Sequence, residues 1–179
     1  MKQTQKLAVG GLMTAFAAVI MLISNFIPSA TFVFPAAAGI IVYILSMAAG
    51  NRYAWISFFA VSVLSFFICT DRMVSLCFIL FLGYYPLIKG YLEKIRPKAL
   101  SYIVRFLVFN AAATAVYALL RLVFSTAVFE RWTENIVLKI GIVIAFNVIF
   151  LMYDLCITIF FRKYKPIINN IVTKFISRF

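Results

Sequence analysis

The chain has 179 residues, 65% of them apolar and 12% charged, with a net charge of +12. Soluble domains carry roughly 25% charged residues, and a mean hydropathy of +1.07 excludes a soluble globular domain, a disordered chain and a nucleic-acid-binding domain. At ~20 residues per bilayer-crossing helix, this apolar content fills five or six spans, so the chain reads as an all-α polytopic membrane protein.

Histidine is absent, which removes zinc-hydrolase motifs, Ser-His-Asp triads and haem-ligating pairs. The acidic residues are Asp71, Glu93, Glu130, Glu134 and Asp154, a short list from which to build paired carboxylates. Cys69, Cys77 and Cys156 all fall in apolar stretches without a C-x-x-C, so buried, inert thiols are expected rather than a metal site or a disulfide framework. No P-loop pattern occurs. No cofactor, metal or enzymatic activity is expected.

Six segments follow in chain order. Met1–Lys6 is a short basic lead into Leu7–Ile27, which is closed by Pro28 and is too long for a usual signal-peptide core, so an uncleaved first span is expected. Thr31–Ala49 contains Pro35 and ends at Gly50. Tyr53–Cys69 ends at Thr70, Asp71 and Arg72. Met73–Ile88 carries Pro86 and is followed by Lys89 and Gly90. The third and fourth segments are near the lower length limit for spanning, so a shallow hairpin is the alternative to two full spans. Ala99–Phe124 follows the basic stretch Glu93–Lys98, and Ile136–Phe161 ends at Arg162 and Lys163.

The positive charges set the expected topology. With the N-terminus inside, cytoplasmic segments hold 12 of the 17 Lys and Arg residues: Lys2, Lys6, Arg52, Lys89, Lys94, Arg96, Lys98, Arg162, Lys163, Lys165, Lys174 and Arg178. This predicts six spans in the cell membrane with both termini cytoplasmic. The tail then shows helical spacing of Ile167, Ile168, Ile171, Val172, Phe175, Ile176 and Phe179, with Pro166 in a first-turn position. The expected organisation is one transmembrane domain over 1–163 and a basic amphipathic helix over 164–179. That helix lies in the inner interface or packs on a partner.

Ionisable groups at membrane depth are costly, and four stand out: Arg105, Arg121, Lys139 and Asp154. Arg105 and Asp154 lie at similar depths from the cytoplasmic side of the last two spans, which predicts an ion pair docking them. Asn110 and Asn147 also match in depth, for a hydrogen bond across the same helices or for ligand contact. Toward the outer side, Tyr117, Arg121, Trp132 and Lys139, with Arg72 and Asp71, suggest a site for a small anionic or aromatic solute. The alternative is that Arg121 and Lys139 snorkel to the interface. In the first span, Gly10, Thr14 and Ala18 form one ladder of small residues, and Gly11 and Ala15 form another beside it. Such a face packs either within the bundle or on a separate membrane partner.

The basic start from Lys2 to Lys6, the small-residue first span ending Asn25 to Pro28, and the run Ala36 to Gly39 after Pro35 resemble the substrate-binding (S) component of energy-coupling-factor transporters. The resemblance implies a six-helix body that binds a vitamin-like solute near the outer face. By position, Tyr117, Arg121, Trp132, Lys139 and Asn147 match the family's solute region. It also implies that the first span docks a membrane coupling subunit, which works with ATPases supplied in trans. The family's Ala-x-x-x-Ala docking motif has its nearest matches here in Gly11-x-x-x-Ala15 and Gly10-x-x-x-Thr14-x-x-x-Ala18. The competing expectation is a non-enzymatic scaffold or interaction protein of the cell envelope, using the same small-residue face and the basic tail.

Overall fold

A computed structural model of the chain describes the backbone of residues 3–27, 31–92, 95–123 and 136–177. Side chains are described for these residues except 120–123, 136–139, 161 and 164–177. Every described element is helical. Helix α1 is Gln3–Ile23, followed by a 3-10 turn at Ser24–Phe26; α2 is Val33–Ala48 and α3 is Asn51–Ile68. A short α4, Arg72–Cys77, passes through a π turn, Phe78–Leu82, toward α5, Tyr85–Leu92. Helix α6 is Lys98–Val123 and α7 is Ile136–Ser177.

The chain is an all-α polytopic membrane protein. Five helical stretches are long and apolar enough to cross a bilayer, including α3 and the run Arg72–Leu92. The third and fourth segments therefore have spanning length rather than that of a shallow hairpin. Helix α2 is the short one: its 16 residues reach ~24 Å, against a hydrocarbon core of ~30 Å.

The C-terminal segment differs from expectation. Residues 164–177 are helical, and their helix is continuous with the last span: α7 is one 42-residue helix that runs through Pro166. Arg162, Lys163 and Lys165 are good helix formers and no glycine intervenes, so only one backbone hydrogen bond is forfeited to the proline. A helix of this length measures ~63 Å, about twice the hydrocarbon core. The faces presented by residues 164–177 lie outside the described side chains.

The run from Arg72 to Leu92 is the centre of the bundle. In its apolar stretch 61% of residues are buried, against 22% for α6 and 17% for α7. Asp71 starts it by accepting a hydrogen bond from the Met73 amide at 2.8 Å, an N-cap. The π turn is visible in the Gly83 amide, which donates to the Phe78 carbonyl five residues back at 2.8 Å. Pro86 has no N–H, so the normal helical bond to the Leu82 carbonyl cannot form. That carbonyl instead abuts α2 at Gly39, where a Cβ would lie 2.1 Å from the Leu82 oxygen. Glycine is what allows α2 this close to the π turn.

Two apolar clusters flank this centre. One joins α1, α2 and α3 to the central run through Ala17, Met21, Ala38, Val42, Phe58, Val61, Val74 and Phe78. The other joins the central run to α6 and α7 through Phe81, Tyr85, Ala112, Phe150 and Ile157. Helices α6 and α7 each offer only one stripe to the bundle. On α6 it is Ser101, Arg105 and Ala112; on α7 it is Phe150, Asp154 and Ile157. These spacings keep one face of a helix inward and leave the rest to lipid.

Candidate functional site

The most concentrated polar chemistry in the described chain surrounds Asp154, which the α7 stripe carries into the interior. Arg105 Nη1 on α6 donates to Asp154 Oδ2 at 3.0 Å. Lys89 Nζ on α5 donates to Asp154 Oδ1 at 2.5 Å, to its backbone carbonyl at 2.5 Å and to Thr158 Oγ1 at 2.7 Å. The Tyr85 hydroxyl donates to Asp154 Oδ1 at 2.5 Å. Arg105 is held in turn, because its Nη2 donates to Ser101 Oγ at 2.9 Å and its guanidinium lies over the Tyr102 ring at 4.8 Å. Ser101 Oγ donates onward to the Leu92 carbonyl at 2.7 Å.

This arrangement does one thing well: it ties α5, α6 and α7 at a single depth. Lys89 and Asp154 are almost fully buried, at 2% and 4% exposure, so each ion depends on its partners for what water would supply. Both Asp154 oxygens are occupied by donors from other helices. The carboxylate therefore acts as a three-helix tie, with both oxygens engaged by donors from α5 and α6.

Sequence reasoning paired Arg105 with Asp154, and the structure places them together. It missed Lys89 and Tyr85, because the fourth segment was ended at Ile88 and Lys89 was assigned to the inner loop. The helix instead continues to Leu92. Tyr85 and Lys89 are four residues apart, a spacing that puts both on one helical face, and this was the available signal. Above the charged site sits a stack of rings. Phe109 lies parallel to Phe150 at 4.5 Å, and Phe81 contacts Tyr85 at 4.7 Å.

Of the residues expected to contact solute, Asn147 and Tyr117 are described, and neither lines the hollow or groove described below. Asn147 directs its amide to helix packing. It accepts from Asn110 Nδ2 at 3.1 Å, donates to Asn110 Oδ1 at 3.4 Å and donates to the Val143 carbonyl at 2.8 Å. Tyr117 is exposed on α6. The side chains of Arg121 and Lys139, and all of Trp132, lie outside the described residues.

The two ladders of α1 have different surroundings. Thr14 Oγ1 lies 2.8 Å from Ser57 Oγ on α3 and donates to the Gly10 carbonyl at 2.7 Å. Gly10 and Ala17 are buried on the same side, and Ala18 is half-buried. Gly11 and Ala15 are exposed; a Cβ at either Gly10 or Gly11 would meet nothing within 4 Å, so burial and the Thr14–Ser57 bond are what separate the two ladders.

At the far end of α1 a polar hollow of about 200 Å³ is lined by Ser24, Asn25, Thr70, Asp71 and Val74. Asn25 fixes its wall: its Nδ2 donates to the Ile68 carbonyl at 3.0 Å, and its Oδ1 accepts from the Thr70 amide at 2.9 Å. Cys69 is buried behind it, and Cys77 is also buried. Cys156, expected to be buried like them, is exposed on α7, because an apolar stretch facing lipid is as free of polar contacts as one facing a core. Among the described residues, no three His, Cys, Asp or Glu side chains converge as a metal site. No family model, curated protein or solved structure matches the chain.

Proposed function

We propose that the chain is a membrane-embedded, non-enzymatic solute-binding subunit of an ATP-driven uptake transporter, with both termini on the cytoplasmic side of the cell membrane. The observation that carries this reading is the division of α1. On the Gly10–Thr14 ladder Gly10 is buried and Thr14 bonds to Ser57 on α3, whereas Gly11 and Ala15 remain exposed on a helix that already has its internal partners. An open small-residue face permits close approach of a second membrane protein, here the coupling subunit to which ATPases attach. The polar hollow at the opposite end of α1 supports solute capture at the outer face. Tyr117, Arg121, Trp132 and Lys139 remain the proposed further contacts, whereas Asn147 is better accounted for by its partner Asn110.

The test is purification of the full chain from its native membrane in mild detergent, with mass spectrometry of bound proteins and extracted small molecules. A coupling subunit with two ATPases and a stoichiometric solute is expected. Gly11→Leu should remove those partners while leaving the thermal midpoint of the isolated chain unchanged. Recovery of envelope-assembly proteins without solute overturns the transport reading in favour of a scaffold. Partner retention by Gly11→Leu overturns the assigned face.

A further inference from the structure

A second feature of the surface has no role in solute capture. Between α2 and α7 lies an apolar groove of about 410 Å³, lined by Phe32, Val33, Ala36, Ala37, Ile40, Tyr153, Cys156, Ile157 and Phe160. Small side chains at Ala36, Ala37 and Cys156 form a trough between larger rings. On α7 the lining covers residues 153–160, a rise of ~11 Å, and on α2 it covers 32–40, ~12 Å. One leaflet's share of the hydrocarbon core is ~15 Å. The groove is therefore apolar and covers most of one leaflet's depth, enough to seat the greater part of a single acyl chain, and it lies on the surface of the bundle.

One end of the groove is charged. Cys156, Phe160 and Lys163 follow one another at spacings of four and three residues, so Lys163 extends the groove-lining stripe of α7 by one turn. Lys163 is exposed, as is Arg162, which at ~100° per residue falls on the face of α7 opposite the groove. At the groove's other end stand Phe32 and Val33, without charge. A molecule fitting this surface has a long apolar tail and an anionic head at the Lys163 end.

We propose that the groove between α2 and α7 is a binding site for an anionic phospholipid, with an acyl chain along Ala36, Ala37 and Cys156 and its phosphate at Lys163. Basic residues beside an interhelical crevice are the recurrent means of holding such head groups. The site is independent of the transport reading, because it uses neither the α1 face nor the polar hollow. A partner helix would also fill an apolar trough, but it would not need the cation at one end.

The native cysteines supply a reporter, since Cys156 lies in the groove and Cys69 and Cys77 are buried. Full-length protein is stripped of lipid in detergent and supplied with phosphatidylglycerol or phosphatidylcholine of identical chains. Retained lipid is counted by native mass spectrometry, and alkylation of Cys156 by N-ethylmaleimide is timed by intact mass. Phosphatidylglycerol should be retained preferentially and slow the alkylation, with the preference falling about fivefold for Lys163→Gln and unchanged for Arg162→Gln on the opposite face. Ala37→Trp should abolish retention of both lipids alike. Equal retention and protection by the two lipids, or an unchanged preference in Lys163→Gln, overturns the proposal. So does a Cys156 shielded in stripped protein by a second chain.

Discussion

The two sides of the central run are built on different principles. Toward α1, α2 and α3, contacts are mostly apolar and the polar ones are between neutral groups, as with Thr14 on Ser57 and Asn25 on Ile68 and Thr70. Toward α6 and α7, one carboxylate, two cations and a tyrosine are buried within a cage of rings. The first side is broad and distributes its stabilisation over many methyl-sized contributions. The second attaches two largely lipid-exposed helices by one narrow stripe each, so a few strong interactions must fix their depth and rotation. In lipid there is no hydrophobic force to press helices together, and packing and polar contacts carry association. A narrow contact stripe thus explains why the expensive groups sit where they do.

This contrast can be broken most directly at Asp154. Asp154→Asn leaves Lys89 and Arg105 buried without their anion, and removing one partner of a buried ionic group costs ~3–5 kcal/mol. Folded yield and thermal midpoint in detergent should fall more than for any single truncation in the α1–α3 cluster. Lys89→Met should cost less, because Arg105 and Tyr85 still serve the carboxylate. If Asp154→Asn melts with the wild type, the charged tie is not what holds α6 and α7.

The corresponding weak point on the other side is steric. Gly39→Ala would place a Cβ 2.1 Å from the Leu82 carbonyl, so α2 must retreat from the π turn. Overpacking of this kind costs typically ~1–3 kcal/mol. The expected readout is a lowered thermal midpoint with α2 displaced, measured by cross-linking between cysteines introduced at Ile40 and Ile79. Gly11→Ala, in open space, should leave the midpoint where it is. Equal effects at Gly39 and Gly11 would show that close approach to the π turn contributes nothing.

Class, segment order and the Arg105–Asp154 register were legible because they rest on counts: apolar length, charge position, and depth at ~1.5 Å per residue. The central run was less so. Pro86, Lys89 and Gly90 look like the end of a span, yet the π turn and the continuation to Leu92 carry Tyr85 and Lys89 inward. A one-residue register shift of this kind leaves no periodic signature in so short a stretch. The orientation of α1 was undecided for a different reason. Gly10 and Gly11 are adjacent, so their ladders differ by one helical step of ~100°, and only the position of Ser57 on another helix distinguishes them. The break expected before Pro166 rested on a local preference that the continuous helix overrides.

The smallest effects test whether neutral polar contacts follow the same division. Asn110 and Asn147 exchange hydrogen bonds between α6 and α7, on the sparsely attached side, whereas Thr14 and Ser57 join helices that already share a broad apolar surface. Interhelical hydrogen bonds in membranes contribute ~0.6 kcal/mol on average, up to ~2 kcal/mol. Asn147→Leu should therefore approach the upper figure, because two mutual bonds and the alignment of two narrow stripes go together. Thr14→Val should fall near the lower one, since it preserves the shape that packs on α3. Double-mutant cycles on the two pairs, read as unfolding free energies in mixed micelles, compare them without the cost of each single truncation. A larger coupling for Thr14 and Ser57 would reverse the ranking. It would mean that contact breadth does not set how much a polar bond matters here, and that the cost of burying charge at Asp154 needs a cause other than docking α6 and α7.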